Sequence, residues 1–258
     1  MNNYHTHTKR CQHAEGSVMD YALQAKKEKS SVLGMSDHTP LPDGRWPHMR
    51  MALSELEEYI AEIEAAAEAL PELRILKGVE CEWSPEYIGF YQEELLGKHS
   101  FDYLIGAVHW FPHHGEWLYI GDADTPPRLV SYARHMAKTI ESGLFTFIAH
   151  PDGFGLGYNQ WDENARACSL DIIASAEACA LPLEINGYGL RKKKVTSPTG
   201  ALRRPYPLDE FWQLASGTKI QAVCNSDAHK PSDLFSSVDQ ARALAEEFSV
   251  PVIDPFER

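Results

Sequence analysis

Short apolar runs alternate along the chain with longer segments of helical periodicity. Most of the apolar runs are rich in Val, Ile, Leu and Phe, as is typical of buried β-strands. They occupy residues 2–4, 32–35, 75–79, 104–108, 145–149, 183–186 and 220–224. The segments predicted to be helical occupy residues 17–29, 54–70, 87–97, 127–143, 163–180, 207–216 and 232–248. Because strands and helices alternate about seven times, the pattern predicts an α/β fold with a parallel sheet.

Local signals indicate where some of these helices begin. The candidate start positions are Ser54, Asp162, Pro207 and Ser232. The first of them opens a capping-box pattern that ends at Glu57. The least regular stretch, residues 191–207, is basic and follows a predicted strand. We expect it to be a loop that shapes the functional end of the strands, within one domain that covers residues 1–258.

Histidine or carboxylate residues follow most of the predicted strands. They are His5 and His7, Asp37 and His38, Glu80, His109, His150, and Asp227 with His229. Side chains from nearly every strand can converge on one point in a closed barrel, whereas an open doubly wound sheet gathers residues only near its switch point. The distribution therefore favours a barrel with a metal site at the C-terminal ends of its strands.

The spacing within two of these groups suits metal ligation. His5 and His7 are two residues apart, so that both imidazoles face the same side of a strand. Asp227 and His229 repeat this spacing with one oxygen and one nitrogen ligand. Mixed nitrogen and oxygen ligation suits Zn, Mn or Fe better than Mg or Ca. Further ligand candidates are His13, His38 and Glu80, whose carboxylate is able to bridge two ions.

A single histidine at the end of a strand is more often a hydrogen-bonded loop residue than a metal ligand. The number and common placement of the strand-end residues favour ligation over that alternative. The other histidines have no preceding strand and are interpreted as ordinary loop or helix residues: His48, His99, His113, His114 and His135. A thiolate at Cys11, between His7 and His13, is a less favoured further ligand.

The composition and net charge of the chain limit the classes of molecule that it is expected to bind. The chain has 258 residues and a formal net charge of -13, so its surface repels nucleic acid and anionic membranes. No apolar run reaches the ~20 residues that span a bilayer, and the first residues lack the regions of a signal peptide. The five cysteines contain no Cys-x-x-Cys pair, which argues against a disulfide framework. We expect a cytoplasmic protein that binds neither nucleic acid nor membranes.

The ligand-type residues occur in segments that resemble the motifs of the PHP (polymerase and histidinol phosphatase) family. These segments are residues 5–8 (His-Thr-His-Thr), His13, and residues 36–38, 78–80, 106–109, 149–152 and 226–229. They follow the family's order over nearly the whole chain. Within the family, the chain is similar to monofunctional histidinol-phosphate phosphatases through residues 11–16 (Cys-Gln-His-Ala-Glu-Gly), 37–42 and 184–191.

The resemblance implies a distorted (β/α)7 TIM-like barrel that holds two or three divalent metal ions. By motif position, the first metal would be held by His5, His7, Glu80 and Asp227. Glu80 would also bridge to a second metal, which His109 and His150 would bind as well. The third metal would be held by His13, His38 and His229. The implied reaction is hydrolysis of a small phosphorylated substrate, L-histidinol phosphate, to L-histidinol and phosphate in histidine biosynthesis.

The expected mechanism is attack on phosphorus by a hydroxide that bridges two metals. The residues expected to take part in catalysis are Glu80, Asp227, His229 and Arg191. Arg191 is expected to clamp the phosphate oxygens, because its planar guanidinium binds such groups through two hydrogen bonds. Glu15 and Asp152 are candidate substrate contacts, and either Asp152 or His229 could protonate the leaving group.

One departure from the family pattern and two alternatives bear on this expectation. Residues 153–163 lack the basic residue that family phosphatases often carry there, and the basic residues at 192–194 and 203–204 could substitute. The alternatives are a PHP-family enzyme for another small phosphoester and a non-catalytic metal-binding PHP module. The sequence leaves open the metal identity and the oligomeric state.

Overall fold

The computed structural model describes residues 1–257 and divides into two compact units. The first unit consists of residues 1–105 and 225–236, and the second consists of residues 106–224 together with the chain from residue 237 on. Both units contain parallel strands joined through helices, so the predicted α/β class is confirmed. The single domain over residues 1–258 stays a prediction.

The first unit contains three of the predicted strands and the helices that connect them. Its elements are α1 (Val18–Lys27), β1 (Val32–Met35), α2 (Leu56–Ala69), β2 (Arg74–Glu82), a π-helix (Phe90–Lys98) and β3 (Tyr103–Ala107), which continues into the second unit. Its short 3-10 turns are Lys9–Cys11, Leu53–Glu55, Pro85–Tyr87 and Pro231–Asp233. The strands lie in the order β1-β2-β3, and β1 runs parallel to β2. The predicted strand at residues 2–4 is reduced to an isolated parallel bridge between Asn3 and Leu33.

The Tyr103 side chain organises the interior of this unit. It is buried, and its hydroxyl donates to the carbonyl oxygens of Tyr4 at 2.8 Å and Met35 at 3.0 Å. Its ring lies directly against the backbone of β2, where a Cβ atom added at Gly78 would be 2.3 Å from the ring. Glycine is required at this position because no side chain fits between the strand and the tyrosine ring. Tyr103 thereby links β1, β2 and β3 to the segment that carries His5.

The second unit combines parallel strands with two antiparallel hairpins. Its elements are β4 (Trp110–His113), β5 (Glu116–Tyr119), α3 (Pro126–Glu141), β6 (Phe147–Ile148), α4 (Glu163–Cys179), β7 (Leu183–Asn186), α5 (Gly187–Arg191), β8 (Val195–Thr196), β9 (Leu202–Arg203), α6 (Asp209–Ala215), β10 (Ala222–Asn225) and α7 (Val238–Glu247). Its 3-10 turns are Ile120–Asp122 and Gly153–Leu156. The parallel strands lie in the order β6-β7-β10. The hairpins pair β4 with β5 and β8 with β9.

The predicted helix starts have mixed outcomes. Asp162 caps α4 by accepting hydrogen bonds from the backbone N–H groups of residues 164 and 165, which confirms that prediction. The start at Pro207 is wrong, because the backbone of Leu208 is extended and α6 begins only at Asp209. The start at Ser232 is also wrong, since this residue lies in a 3-10 turn. The backbone then takes a left-handed conformation at residue 237, and α7 begins after it.

Residues 191–207 are more ordered than the predicted loop. They include the end of α5 and the whole β8–β9 hairpin. Sequence periodicity did not indicate this hairpin, because its strands are only two residues long. None of the helices within residues 1–257 combines the length and apolar character that crossing a bilayer requires.

Candidate metal centre

The segment that carries His5 and His7 is held by hydrogen bonds on both sides. The N–H of Thr6 donates to the Ser36 hydroxyl at 2.9 Å, beyond the end of β1. On the other side, the N–H of His7 donates to the carbonyl oxygen of Ala228 at 2.8 Å, and the N–H of Ala228 donates to that of His5 at 3.1 Å. This pairing between the start of the chain and residues 225–229 brings Asp227 and His229 beside the first two histidines.

Two imidazoles and two carboxylates converge in this buried region. His5 Nε2 lies 3.4 Å from Glu80 Oε1, and His7 Nε2 lies 3.5 Å from Glu80 Oε2. The Oδ1 atom of Asp227 lies 3.1 Å from His7 Nε2 and 3.7 Å from His5 Nε2. All four residues are almost fully buried. The structure therefore places together the four residues expected to hold the first metal.

The three histidines expected to hold the third metal lie next to this group. The His7 ring centroid is 4.4 Å from those of both His38 and His229. The His13 centroid lies 5.4 Å from that of His38 and 5.0 Å from that of His229. His38 Nδ1 is also 2.9 Å from Glu80 Oε2, which links the two groups. The first unit thus contains seven of the nine predicted ligands in one cluster: His5, His7, His13, His38, Glu80, Asp227 and His229.

The donor atoms of this cluster fit a divalent cation. One ligand atom each from His7, His38 and His229 lies within 4.8 Å of the others, and the same holds for His5, His7 and Glu80. Imidazole nitrogen and carboxylate oxygen are ligands that Zn, Mn and Fe accept. Within residues 1–257, Nδ1 of His7 is buried and has no hydrogen-bond partner, and the Oδ1 atom of Asp37 lies 3.7 Å away. The set therefore fits the predicted metals.

The electrostatics of the metal-free protein follow from the close packing of these groups. Burial alone lowers the pKa of His7, but the carboxylates of Asp227, Asp37 and Glu80 outweigh burial and raise this pKa to about 9. Burial raises the pKa of Asp227, yet the imidazoles of His5 and His229 hold it well below its usual range. Burial and the neighbouring His7 lower the pKa of His229 to about 3. These shifts favour a protonated His7 beside a neutral His229.

Asp37 lies beside the cluster, although no role was predicted for it from the sequence. Its carboxylate is fully buried and accepts hydrogen bonds from the N–H of Thr8 at 3.0 Å and the N–H of His38 at 2.8 Å. It also accepts a short hydrogen bond from the Thr8 hydroxyl. Through these contacts Asp37 fixes the backbone beside two predicted ligands, His7 and His38. Its place directly before His38 was the available signal.

The turn after Thr8 carries His13 and is fixed by a second set of contacts. The buried guanidinium of Arg10 forms ion pairs with Glu62 at 2.8 Å, Glu55 at 3.3 Å and Glu58 at 3.4 Å, at the N-terminal part of α2. His13 Nδ1 lies 2.7 Å from the carbonyl oxygen of residue 11. These ion pairs could not be predicted from local sequence patterns, because they join residues more than forty positions apart.

The other candidates in this turn are Cys11 and Glu15. Cys11 is fully buried, and its thiol lies within 4.8 Å of ligand atoms of His7 and Asp37. Burial and the Asp37 carboxylate raise the pKa of this thiol, which disfavours the thiolate. The Glu15 side chain is exposed, and its N–H donates to the carbonyl oxygen of His229 at 2.8 Å. Its predicted contact with substrate stays a prediction.

His109 and His150, the two remaining predicted ligands, lie together in the second unit. Their ring centroids are 4.8 Å apart in an edge-to-face arrangement. The N–H of His150 donates to the Glu184 carboxylate of β7 at 3.2 Å, and the ring of His150 packs against Tyr206 with centroids 5.7 Å apart. Asn186 donates to the same carboxylate at 2.7 Å. These contacts fix the backbone and ring of His150.

Asp152 and Arg191 also belong to the second unit. Asp152 is fully buried, and its Oδ2 atom accepts a hydrogen bond from the N–H of Leu208 at 2.6 Å. Burial raises the pKa of this carboxyl to about 7. The half-buried Arg191 guanidinium lies over the Tyr188 ring, 5.5 Å from its centroid. The observed contact of Asp152 is with backbone, and the predicted substrate and catalytic roles of both residues stay predictions.

Among the histidines interpreted as ordinary, His135 is the most buried. Its ring packs edge-to-face against Trp117 at a centroid distance of 5.4 Å. His113 ends β4, and its Nδ1 atom lies 2.9 Å from the Ser131 hydroxyl. His135 lies on a helix, as interpreted from the sequence, whereas His113 lies in a strand and not on a loop or helix.

The chain is similar to a known domain family and to two named proteins. The model of the PHP domain matches residues 3–187. A Deinococcus radiodurans protein named "Probable histidinol-phosphatase" is 31% identical, over 93% of this chain and 91% of the relative. A Shewanella amazonensis protein named "Probable phosphatase" is 24% identical, over 96% of this chain and 83% of the relative.

A solved structure shows the same fold. It is that of histidinol phosphate phosphatase from Lactococcus lactis, complexed with zinc, L-histidinol and phosphate. The TM-score is 0.73 at 16% sequence identity, and the match covers 98% of this chain and 95% of the solved chain. The predicted fold class, the distorted (β/α)7 barrel type, is thereby confirmed.

Proposed function

Because the chain belongs to the PHP domain family, we propose that it is a metal-dependent phosphomonoesterase that hydrolyses L-histidinol phosphate to L-histidinol and phosphate. The observation that carries this proposal is the buried cluster of imidazoles and carboxylates around Glu80. The "Probable histidinol-phosphatase" relative, alike over nearly the full length of both chains, supports the choice of substrate. The zinc, L-histidinol and phosphate found with the Lactococcus lactis enzyme support it further.

The nine predicted ligands, seven in the cluster of the first unit and two in the second unit, have the roles that their chemistry allows. We assign metal ligation to His5, His7, His13, His38, Glu80, His109, His150, Asp227 and His229. Bound divalent ions, of Zn, Mn or Fe, would lower the pKa of water and neutralise charge on the phosphate. Glu80 and Asp227 offer carboxylate oxygens that can also orient the attacking water by accepting its hydrogen bonds. Their burial excludes competing solvent from these hydrogen bonds.

The substrate contacts are assigned from the second unit and from the turn at residues 8–16. Arg191 binds the phosphate oxygens through its guanidinium, which the Tyr188 ring supports from one face. Glu15 is exposed and offers a carboxylate to the cationic amino group of histidinol. Either Asp152 or His229 supplies the proton to the departing alkoxide. Asp152 is the favoured proton donor, because burial raises the pKa of its carboxyl to about 7 and this group can then carry a proton near neutral pH.

The direct test is phosphate release by the purified protein loaded with Mn, Zn or Fe. L-histidinol phosphate is compared with sugar phosphates, nucleotides and a phosphodiester at equal concentration. We expect rapid release from L-histidinol phosphate and little from the others. Asp227→Ala should abolish release, whereas Asp102→Ala, at an exposed carboxylate, should retain it. Rapid release by the Asp227 variant would contradict the assignment of the cluster.

The alternative is a PHP-family phosphoesterase for another small phosphoester. The match to the "Probable phosphatase" relative favours keeping this candidate. Release from another ester in the panel, with none from L-histidinol phosphate, would establish it. A non-catalytic metal-binding module is the third candidate, and stoichiometric metal binding without turnover of any ester would identify it.

A further inference from the structure

A strongly basic cavity lies beside the β8–β9 hairpin of the second unit. It has a volume of about 510 Å³, within the range of roughly 300–1,000 Å³ that is usual for small-molecule sites. Four of its lining residues are cationic, and the others include one acid, one amide and two leucines. The residues that matter for its chemistry are Lys192, Lys194, Arg203, Arg204, Asp209 and Gln240. The sequence predicted a loop here, with basic residues that could substitute for the one missing from residues 153–163.

The local charge is opposite to that of the whole chain. Residues 191–204 contain six basic residues and no acidic one, in a protein whose formal net charge is -13. Cations that crowd around one concave surface repel one another and raise the local positive potential. An anion bound in the cavity removes this repulsion. The cavity therefore selects for negative charge in its ligand.

Arg203 is held in place by neutral groups. Its Nη2 atom donates to the carbonyl oxygens of Tyr158 at 2.6 Å and Gly155 at 3.1 Å. Its Nε and Nη1 atoms donate to the carbonyl oxygens of Asn159 at 3.2 Å and Arg204 at 2.9 Å. Within the described part of the chain, this guanidinium forms no ion pair with a carboxylate. Its charge is thus fixed at the cavity wall without being neutralised there.

The other cations are also positioned. The Lys192 ammonium lies 4.4 Å from the centroid of the Tyr188 ring and 6.0 Å from that of Tyr206, so that two aromatic faces hold it. Arg204 forms an ion pair with Asp209 through one of its two terminal nitrogens. A guanidinium has five N–H donors, and this pair engages only part of them. Lys194 is exposed.

We propose that this cavity binds a small phosphorylated molecule with two or more negative charges, as a site separate in chemistry from the metal centre. The cations bind the phosphate groups, Gln240 offers further hydrogen bonds, and the leucines contact an apolar part of the ligand. A nucleic acid fits less well, because the acidic chain as a whole repels a long anionic backbone.

The test uses inorganic pyrophosphate as the probe and lysine acetylation, read by mass spectrometry, as the signal. With the metal-loaded protein, saturating pyrophosphate should lower the acetylation of Lys192 and Lys194 several-fold. Lys138, which is exposed on α3 of the same unit, should be unaffected. The protection should persist after the metals are removed with a chelator. Because the signal is independent of turnover, it remains informative whether or not the protein hydrolyses L-histidinol phosphate.

Matched variants separate specific binding from general charge. Lys194→Gln combined with Arg204→Gln should remove the protection of Lys192. Arg134→Gln combined with Lys138→Gln makes the same charge change on α3 and should leave it intact. Equal loss in both variants, absence of protection, or protection only when metals are present would overturn the proposal. Stronger protection by a single-stranded oligonucleotide than by pyrophosphate would overturn it in favour of nucleic acid.

Discussion

Replacing Asp37 with Asn should weaken metal binding while leaving the protein folded. The Asp37 carboxylate accepts hydrogen bonds from the backbone of Thr8 and of His38 through its two separate oxygens. It also places negative charge 3.7 Å from His7 Nδ1. An Asn side chain has nearly the same shape, but it carries no charge and has only one acceptor oxygen. The substitution therefore tests the contacts of Asp37 without creating a cavity.

The magnitude follows from these contacts. The amide of Asn can accept from the Thr8 side or from the His38 side, and its NH2 group then faces an N–H donor on the other side. Leaving a buried donor without an acceptor costs about 1–3 kcal/mol. Loss of a carboxylate that supports a metal-binding histidine lowers metal affinity by roughly 10- to 100-fold. We therefore expect both a lower unfolding free energy and a weaker metal site.

The assay is competition for the metal against a chromogenic chelator, together with urea unfolding of the metal-free protein. Asp102→Asn is the matched control, because this exposed carboxylate also accepts a backbone hydrogen bond, from Lys77 at 2.7 Å, but lies outside the cluster. We expect its metal affinity to equal that of the wild type. Wild-type metal affinity in Asp37→Asn would refute the positioning role of this residue.

Three further substitutions test other parts of the structure. Gly78→Ala should lower the free energy of unfolding in urea by about 1–3 kcal/mol through overpacking, because the added Cβ would lie 2.3 Å from the Tyr103 ring. Gly89→Ala is the control and should leave the free energy of unfolding unchanged or slightly raised, because residue 89 has open space around it and a helical φ. Asp162→Ala should lower the unfolding free energy by about 1 kcal/mol because α4 loses its N-cap, and an unchanged melting temperature would contradict this role. Arg191→Gln should raise KM for L-histidinol phosphate far more than it lowers metal content, and unchanged kinetics would remove this residue from the phosphate site.

Much of the metal cluster could be predicted because its residues occupy equivalent places in a repeated unit. A strand followed by a polar residue is a local pattern, and parallel strands bring their carboxyl ends to one edge. The pairs His5 with His7 and Asp227 with His229 are therefore recognisable from spacing alone. Asp37 differs from these residues. It acts through backbone groups of Thr8 and His38, and those contacts depend on how the first segment crosses the end of β1.

The features that were not predicted from the sequence depend on contacts between residues far apart in the chain. Leu208 is extended before α6, and its N–H donates to the buried Asp152 carboxylate, 56 positions away in the sequence. The β8–β9 hairpin is too short to show periodicity, and the guanidinium of Arg203 attaches it to the carbonyl oxygens of residues 155–159. By contrast, α4 began where predicted, since its cap is a contact between residues two and three positions apart.

The charge buried in the cluster bears on how the proposed phosphorylated substrate would be attracted to it. Asp37, Glu80 and Asp227 place three carboxylates inside the first unit, among its imidazoles. In the metal-free protein a proton on His7, whose pKa rises to about 9, offsets part of this negative charge. Two or three divalent ions would replace that proton and bring the formal charge of the chain from -13 to between about -9 and -7. The added positive charge would be concentrated at the cluster, so a phosphate ester would be attracted to the cluster despite the negative net charge of the chain.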